Sequence, residues 1–91
     1  MINKDLKSVI QTKVYEGLKK TCRGRVFVKI REDELFISIL FDGIEYVEIY
    51  DHLSDMILSG RFSSYAIIRD FTKKWESFMI NKIRKEMFYV V

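Results

Sequence analysis

Three short runs of residues typical of β-strands follow one another in the middle of the chain. The first run, 25–31, alternates between apolar and polar positions. The second and third runs, 34–41 and 44–50, are joined by Asp42-Gly43, which is a strong hairpin signal. Because such short connections join sequence neighbours in space, the pattern predicts a three-stranded antiparallel meander.

Helical periodicity precedes these strands. Apolar residues recur at every fourth position from Ile2 to Leu18, so a helix is predicted over residues 3–23. Asn3 is its expected N-cap, and Gly24 is its expected left-handed stop.

Two further helices are predicted after the strands. Asp51 is the expected cap of a short helix over residues 52–59, and a serine at 63 or 64 is the expected cap of a long helix over 64–87. The order of elements is therefore α-β-β-β-α-α. The predicted fold is a single α+β domain over residues 1–91, with the meander packed by helices.

The apolar stripe of the long helix changes face beyond Met79. Either the helix kinks near Asn81 or its last turns meet a second surface, because one straight stripe does not fit both halves. The apolar tail, residues 88–91, is expected to pack back on the domain or to dock elsewhere, including on a second copy in a small homo-oligomer.

Two registers are open for the second hairpin. A two-residue loop pairs Phe41 with Ile44 and turns Glu48 toward the core. A three-residue loop with a bulge pairs Leu40 with Ile44 and turns Val47 toward the core instead. The second register buries less charge and is the one we expect.

Composition places the chain among small globular domains. It has 91 residues, of which 48% are hydrophobic, so a folded core rather than disorder is expected. The single Cys22 cannot form an intramolecular disulfide, and neither a signal peptide nor a long uncharged run is recognisable. We therefore expect a cytoplasmic protein with no membrane partner.

No catalytic or metal-binding constellation is recognisable in the sequence. His52 and Cys22 are the only histidine and cysteine, too few for a zinc site and remote from each other in sequence. Glu32, Asp33 and Glu34 are contiguous but lack the calcium-loop pattern. We expect no enzyme activity, no metal and no cofactor.

The formal net charge of +3 hides a strong segregation of charge along the chain. Residues 1–31 carry nine basic and two acidic side chains, a balance of +7. Residues 32–60 carry eight acidic side chains and no Lys or Arg, and residues 61–91 carry seven basic and three acidic ones. One interpretation is that these blocks neutralise each other within the fold and keep a small domain soluble.

A second interpretation uses the acidic block as a partner-binding surface. A negative ridge on the second and third strands and the following turn can occupy a groove built for phosphates. The candidate partner-binding residues are Glu32, Asp33, Glu34, Asp42, Glu45, Glu48, Asp51 and Asp55.

A third interpretation uses the basic blocks to bind nucleic acid. Phosphates would bind there with a steep salt dependence, and Phe27 and Tyr46 are expected to share an open sheet face on which bases stack. The candidate nucleic-acid-binding residues are Lys19, Lys20, Arg23, Arg25, Lys29 and Arg31.

The layout resembles that of small phage-encoded anti-CRISPR proteins, which inhibit type II RNA-guided nucleases. The similar segments are Asn3-Lys4-Asp5-Leu6 and Asp42-Gly43-Ile44-Glu45-Tyr46-Val47. In that family acidic residues fill the site that reads the short motif beside the target, so the resemblance implies a DNA mimic that uses Asp42, Glu45 and Glu48. The known inhibitor of that family whose layout is similar is strongly acidic, whereas this chain is basic at both ends.

The leading functional hypothesis is a small, non-enzymatic, phage-type interaction protein that binds and inhibits a host protein, with an RNA-guided nuclease as the most concrete target. The alternative is an accessory or regulatory protein that binds nucleic acid through its basic N- and C-terminal blocks.

Overall fold

The computed structural model describes the backbone of residues 3–89 and the side chains of residues 3–85. Its elements are α1 (Lys4–Thr21), β1 (Arg25–Arg31), β2 (Glu34–Phe41), β3 (Ile44–Tyr50), α2 (Leu53–Leu58) and α3 (Ser64–Tyr89). The predicted α+β class and the predicted order of elements are confirmed. All three strands have the predicted bounds, and the helix ends differ from the predicted ones by one or two residues.

The strands form one antiparallel sheet in the order β1-β2-β3. Phe41 pairs with Ile44, so the second hairpin has a two-residue loop and the expected three-residue loop is wrong. Asp42 and Gly43 have φ angles of 52° and 75°, as a type I′ turn requires. This loop shifts β3 by one residue from the expected register and therefore reverses which of its side chains face the helices.

In this register β3 turns Tyr46, Glu48 and Tyr50 toward the helices and Val47 and Ile49 away from them. Val47 and Ile49 are 45% and 47% exposed, whereas Glu48 is half-buried. The Tyr46 hydroxyl donates a hydrogen bond to Glu48 Oε1 at 3.0 Å, and Lys74 Nζ lies 3.9 Å from Glu48 Oε2. The expected register avoids a buried charge, but β3 is an edge strand and the Glu48 carboxylate has hydrogen-bonding and charged partners there.

The core lies between the inner face of the sheet and helices α1 and α3. Phe71 is fully buried and packs 5.5 Å, ring to ring, from Tyr46. The buried apolar residues are Ile10, Val14, Leu18, Cys22, Val26, Leu35, Ile37, Ile39, Leu53, Ile67, Phe71 and Trp75.

Helices α1 and α3 run parallel to each other. The Thr21 hydroxyl lies 2.9 Å from the Thr72 hydroxyl, and one turn earlier a Cβ on Gly17 would collide with the Ile68 side chain. Both contacts join residues 51 positions apart, so the two helices advance in the same direction. Helix α3 therefore continues past the end of α1.

Trp75 packs edge-on against Phe41 at the β2–β3 hairpin, with ring centroids 6.3 Å apart. Beyond that contact α3 continues through Asn81 as one uninterrupted helix, and residues 80–85 are all exposed. The side chains of residues 88 and 89, and all of residues 90 and 91, lie outside the described part of the chain.

Three caps test the expected helix ends. Asn3 Oδ1 accepts the Leu6 N–H at 2.7 Å, so this predicted N-cap is confirmed. Ser63 Oγ likewise accepts the Ala66 N–H at 3.2 Å. The expected stop at Gly24 is wrong, because α1 already ends at Thr21.

Gly24 has a different role, at the entry to β1. Its φ angle of +106° is one that residues with a side chain rarely adopt. A Cβ there would lie 2.5 Å from the Leu40 carbonyl oxygen. Glycine is therefore required because the chain passes close against β2.

The cap of α2 comes from a distant part of the chain. His52, not Asp51, occupies the N-cap position, and it makes no side-chain capping bond. Asp33, in the β1–β2 turn, accepts the Ser54 N–H at 2.8 Å and also the Ser54 hydroxyl. The expected Asp51 cap is therefore wrong, and a carboxylate 21 residues before Ser54 replaces it.

Candidate functional site

The eight candidate carboxylates do not form one ridge. Asp42 and Glu45 lie at the β2–β3 hairpin, and Glu48 lies on the inner face of β3. The other five lie at the opposite end of the sheet, which is about 25 Å away along β2. We call this group the acidic end: Glu32, Asp33, Glu34, Asp51 and Asp55.

Two of the eight are engaged in holding the fold. The hydrogen bonds from the Ser54 hydroxyl and N–H keep the pKa of Asp33 below its usual value. Glu48 accepts from Tyr46 and faces Lys74. A partner would have to break these contacts to use either carboxylate.

Glu34 and Asp51 form a carboxyl pair at the acidic end. The hydrogen bond with Asp51, partial burial and the negative charges of Asp51 and Glu32 raise the pKa of Glu34. Arg31 acts in the opposite direction but does not cancel the effect. The acidic neighbours of Glu34 therefore outweigh Arg31 in their effect on the pKa of this carboxyl.

A polar network fastens α3 to β3. The Tyr50 hydroxyl donates to Asp70 Oδ2 at 2.7 Å, and Lys74 Nζ lies 3.1 Å from the same oxygen. Burial and the Glu48 carboxylate raise the pKa of Tyr46 to about 12, and burial and Asp70 raise that of Tyr50. The Tyr50 hydrogen bond lowers the pKa of Asp70. Both phenols stay protonated as donors, which suits a structural role.

The six candidate basic residues fall into two groups, and all six are exposed. Arg25, Lys29 and Arg31 lie on the face of the sheet that points away from the helices. Lys19, Lys20 and Arg23 lie at or just after the end of α1.

A second basic block joins the end of α1. Because Thr72 lies beside Thr21, the rise of an α-helix places Lys82 about 15 Å and Lys85 about 20 Å farther along the same direction. Both basic blocks therefore lie toward the same end of the molecule. We call this group the basic end: Lys19, Lys20, Arg23, Lys82, Arg84 and Lys85.

Sequence reasoning did not name Lys82, Arg84 and Lys85 as site residues. The available signals were the basic C-terminal block and the change of apolar face beyond Met79. Neither signal shows that α3 runs parallel to α1, which is what brings the two blocks together.

No cation of the basic end forms an ion pair with a carboxylate of residues 3–85, although Asp42 and Glu45 lie at the same end of the sheet. Within that part of the chain the ion pairs are those of Lys74 with Asp70 and Glu48. Lys19 lies 5.4 Å from the centre of the Tyr15 ring, and Lys82 lies 6.0 Å from that of Phe78. Aromatic rings position these two ammonium groups without cancelling their charge.

The expected pairing of Phe27 with Tyr46 on one sheet face is wrong. Tyr46 faces the helices and lies 4.8 Å, ring to ring, from Phe78. Phe27 lies on the opposite face and is 53% exposed. The cause is the two-residue hairpin, which turns even-numbered residues of β3 inward.

Phe27 borders three shallow concavities. One, of about 580 Å³, lies between α1 and β1 and is lined by Gln11 and Tyr15 among others. A second, of about 260 Å³, lies on the outer sheet surface beside Phe36 and Val47. The third, of about 360 Å³, is lined by Lys19 and Arg25. Gln11 Nε2 donates to the Val28 carbonyl at 3.1 Å and so occupies part of the free edge of β1.

Other candidate chemistry is weak in the described residues. His52 is exposed, and Cys22 is buried 3.6 Å from the Thr72 hydroxyl, as a packing residue would be. No group of three His, Cys, Asp or Glu within the described chain is placed to hold a metal. None of its described helices is long and apolar enough to cross a membrane.

The basic end is therefore the site that the geometry singles out: six exposed cations from two distant blocks, without carboxylate partners in residues 3–85. The chain matches no protein-family model, no curated protein and no solved structure.

Proposed function

We infer that this protein binds nucleic acid through its basic end, as an accessory or regulatory protein without catalytic activity. The observation that supports this function is the convergence of two basic blocks, separated by about sixty residues of sequence, toward one end of the molecule. A charge layout that served only solubility would not need that convergence.

Phosphates are the natural counterpart of these six cations. Each phosphate neutralised by Lys or Arg releases condensed counterions, so log K against log salt has a slope of about −0.9 per contact on duplex DNA. Six contacts correspond to a slope of roughly −5. Binding should therefore be strong at low salt and weak at high salt.

The projecting part of α3 supports duplex binding in particular. An α-helix with its side chains is about 10–12 Å across, and the major groove of B-DNA is about 12 Å wide. Residues 80–85 are exposed, so this segment can enter the groove without unpacking the domain. Asn81 and Arg84 are side chains that hydrogen-bond base edges, while Lys19, Lys20 and Arg23 are suited to backbone phosphates.

Fluorescence anisotropy with a labelled duplex, titrated from low to moderate salt, tests this function. The triple variant Lys82→Ala, Arg84→Ala, Lys85→Ala should bind at least about tenfold more weakly at low salt, with the slope reduced by about 2.7. The matched control removes three exposed cations elsewhere: Lys4→Ala, Lys13→Ala, Arg61→Ala.

The control has the same net charge as the test variant but should keep nearly the wild-type slope. No binding by the wild type at low salt, or equal losses in the two triple variants, would contradict the proposed function.

Inhibition of a host protein by the acidic end is a second candidate function. It is supported by the clustering of Glu32, Glu34, Asp51 and Asp55 at one end of the sheet. Proteins that bind nucleic acid have a basic groove that can accept these carboxylates, and an RNA-guided nuclease is one concrete example. The double variant Glu32→Lys, Asp55→Lys should abolish inhibition of target cleavage; no inhibition by the wild type removes this candidate.

A further inference from the structure

The surface of the sheet that points away from the helices, the outer face, is apolar in its middle and charged at its margins. Its apolar residues are contributed by all three strands. The outer-face residues are Arg25, Phe27, Lys29, Arg31, Glu34, Phe36, Ser38, Leu40, Glu45, Val47 and Ile49.

The described residues leave this face uncovered. Phe27, Val47 and Ile49 each keep about half of their surface exposed, and Leu40 keeps 38%. A contiguous apolar patch with a polar rim marks an interaction site in a soluble protein. β-branched residues and flanking carboxylates make this patch a better match for protein than for nucleic acid.

The strand register arranges the outer face in rows. One row runs Arg25–Leu40–Glu45, and the next runs Phe27–Ser38–Val47. In every such row the β1 residue is basic or aromatic and the β3 residue is acidic or aliphatic. Three basic residues, Arg25, Lys29 and Arg31, thus lie along the β1 margin of the face, and one carboxylate, Glu45, lies on the β3 margin.

We propose that the outer face binds a second copy of this chain, sheet against sheet, about a twofold axis parallel to the strands. This axis places β1 of one copy over β3 of the other. Arg25 then faces Glu45 of the second copy, and Phe27 faces Val47. Both contacts occur twice, as an isologous interface requires.

The charges select this axis over the other twofold arrangement. An axis perpendicular to the strands would place β1 over β1 and bring Arg25 close to Arg31 of the second copy. Like charges in these positions are destabilising, whereas the axis parallel to the strands pairs opposite charges.

The size of the face predicts a weak dimer. Strands about 4.8 Å apart and seven residues long give a face of roughly 300 Å² in projection, against the roughly 800 Å² per partner of a standard interface. We expect dissociation in the micromolar range or above. In the dimer both basic ends point the same way, because the axis preserves strand direction.

Sedimentation velocity of the full chain, from about 5 to about 500 μM, tests the proposal by mass action. The wild type should shift from monomer to dimer over this range. Arg25→Glu alone and Glu45→Arg alone should each raise the dimer dissociation constant about tenfold or more, and the double variant should restore it to within about threefold.

Glu76→Arg is the matched control, because this exposed residue lies on α3, away from the outer face. It should sediment as the wild type does, and circular dichroism should show that all variants fold. A wild type that stays monomeric throughout, or that associates only with nucleic acid or another protein, overturns the proposal. If Arg25→Glu strengthens the dimer, the axis parallel to the strands is wrong. Only the perpendicular axis, which brings Arg25 close to Arg31 of the second copy, predicts such a gain.

The outcome of this test is separate from that of the proposed function. A monomer that binds duplex DNA through the basic end would remove the dimer and leave nucleic-acid binding intact. A dimer without affinity for nucleic acid would remove the proposed nucleic-acid binding and leave the dimer intact.

Discussion

The acidic end and the basic end carry similar amounts of charge and use it differently. At the acidic end Asp33 caps α2, and the neighbouring Asp51 carboxyl raises the pKa of Glu34. At the basic end neither Lys20 nor Arg23 forms an ion pair with a side chain of residues 3–85. Asp33 at the first end contributes to folding, while Lys20 and Arg23 at the second end have no carboxylate partner in that part of the chain.

This difference shows that a charge block in a sequence does not reveal its role. The acidic block is the more conspicuous pattern, with eight carboxylates and no Lys or Arg over residues 32–60. Its members nevertheless divide between caps, a carboxyl pair and two ends of the sheet. The basic end is assembled from parts that look unrelated until the helices are placed.

The largest expected effect concerns the contact that holds α3 at the basic end. Trp75 is 9% exposed and packs on Phe41, so Trp75→Ala should lower the free energy of unfolding by about 3–5 kcal/mol. Urea denaturation measures this loss. Ile83→Ala, in the exposed part of the same helix, is the control and should change little. A loss below about 1 kcal/mol for Trp75→Ala would mean that this contact does not position the helix.

A smaller effect is expected from the cap at the acidic end. Asp33→Ala removes the acceptor of both Ser54 hydrogen bonds, so the midpoint of thermal unfolding at neutral pH should fall by roughly 5 °C. Asp55→Ala, exposed in the first turn of the same helix, should change it by much less. Equal effects would show that Asp33 is not the cap.

The stability that Asp33 contributes should be lost at low pH. Its pKa in the folded protein is lowered from 3.8, so the stability it contributes is fully present above that value. The contribution is lost as the pH falls through the lower folded pKa. Wild type and Asp33→Ala should therefore converge at low pH, and a difference that persists there would contradict the account.

The stability that Glu34 contributes should have the opposite pH dependence. Its pKa is raised, so its favourable contribution is present below the unfolded value of 4.5 and lost as the pH rises through the folded pKa. Glu34→Gln keeps a hydrogen-bond donor for Asp51 without the charge. We expect the midpoint of thermal unfolding at pH 7 to rise slightly and the gain to vanish at pH 3. A destabilised variant at pH 7 would show that the carboxyl pair is not repulsive.

The smallest effect on stability is expected at the basic end. Lys20→Glu and Arg23→Glu alter exposed side chains without ion-pair partners in residues 3–85. The midpoint of thermal unfolding should therefore change by less than about 2 °C. Affinity for duplex DNA should nevertheless fall about tenfold for each. A large loss of stability would mean that these residues serve the fold after all.

Most of the fold follows from local sequence signals. Strand bounds, the Asn3 cap and the order of elements depend on residues close together in the chain, and all are confirmed. The register of β3 does not follow from the strand pattern alone. The free-energy cost of turning the Glu48 carboxylate inward is offset by its contacts with Tyr46 and Lys74. The Asp33 cap was missed because the donor and the acceptor are 21 residues apart.

The candidate site was only half accessible from sequence. Lys19, Lys20 and Arg23 were named because they cluster near one helix end. Lys82 and Lys85 join them only because Gly17 and Thr21 set α3 parallel to α1, and helix direction is a tertiary property that no local pattern encodes.

The central claim is that both basic blocks touch the same nucleic acid, and an NMR titration tests it most directly. Short duplex DNA is added to ¹⁵N-labelled protein at low salt while the amide signals are followed. The account predicts shifts in two separate segments, 19–23 and 80–85, with residues 32–34 and 51–55 unmoved. Shifts confined to one block, or centred on the acidic end, would contradict it.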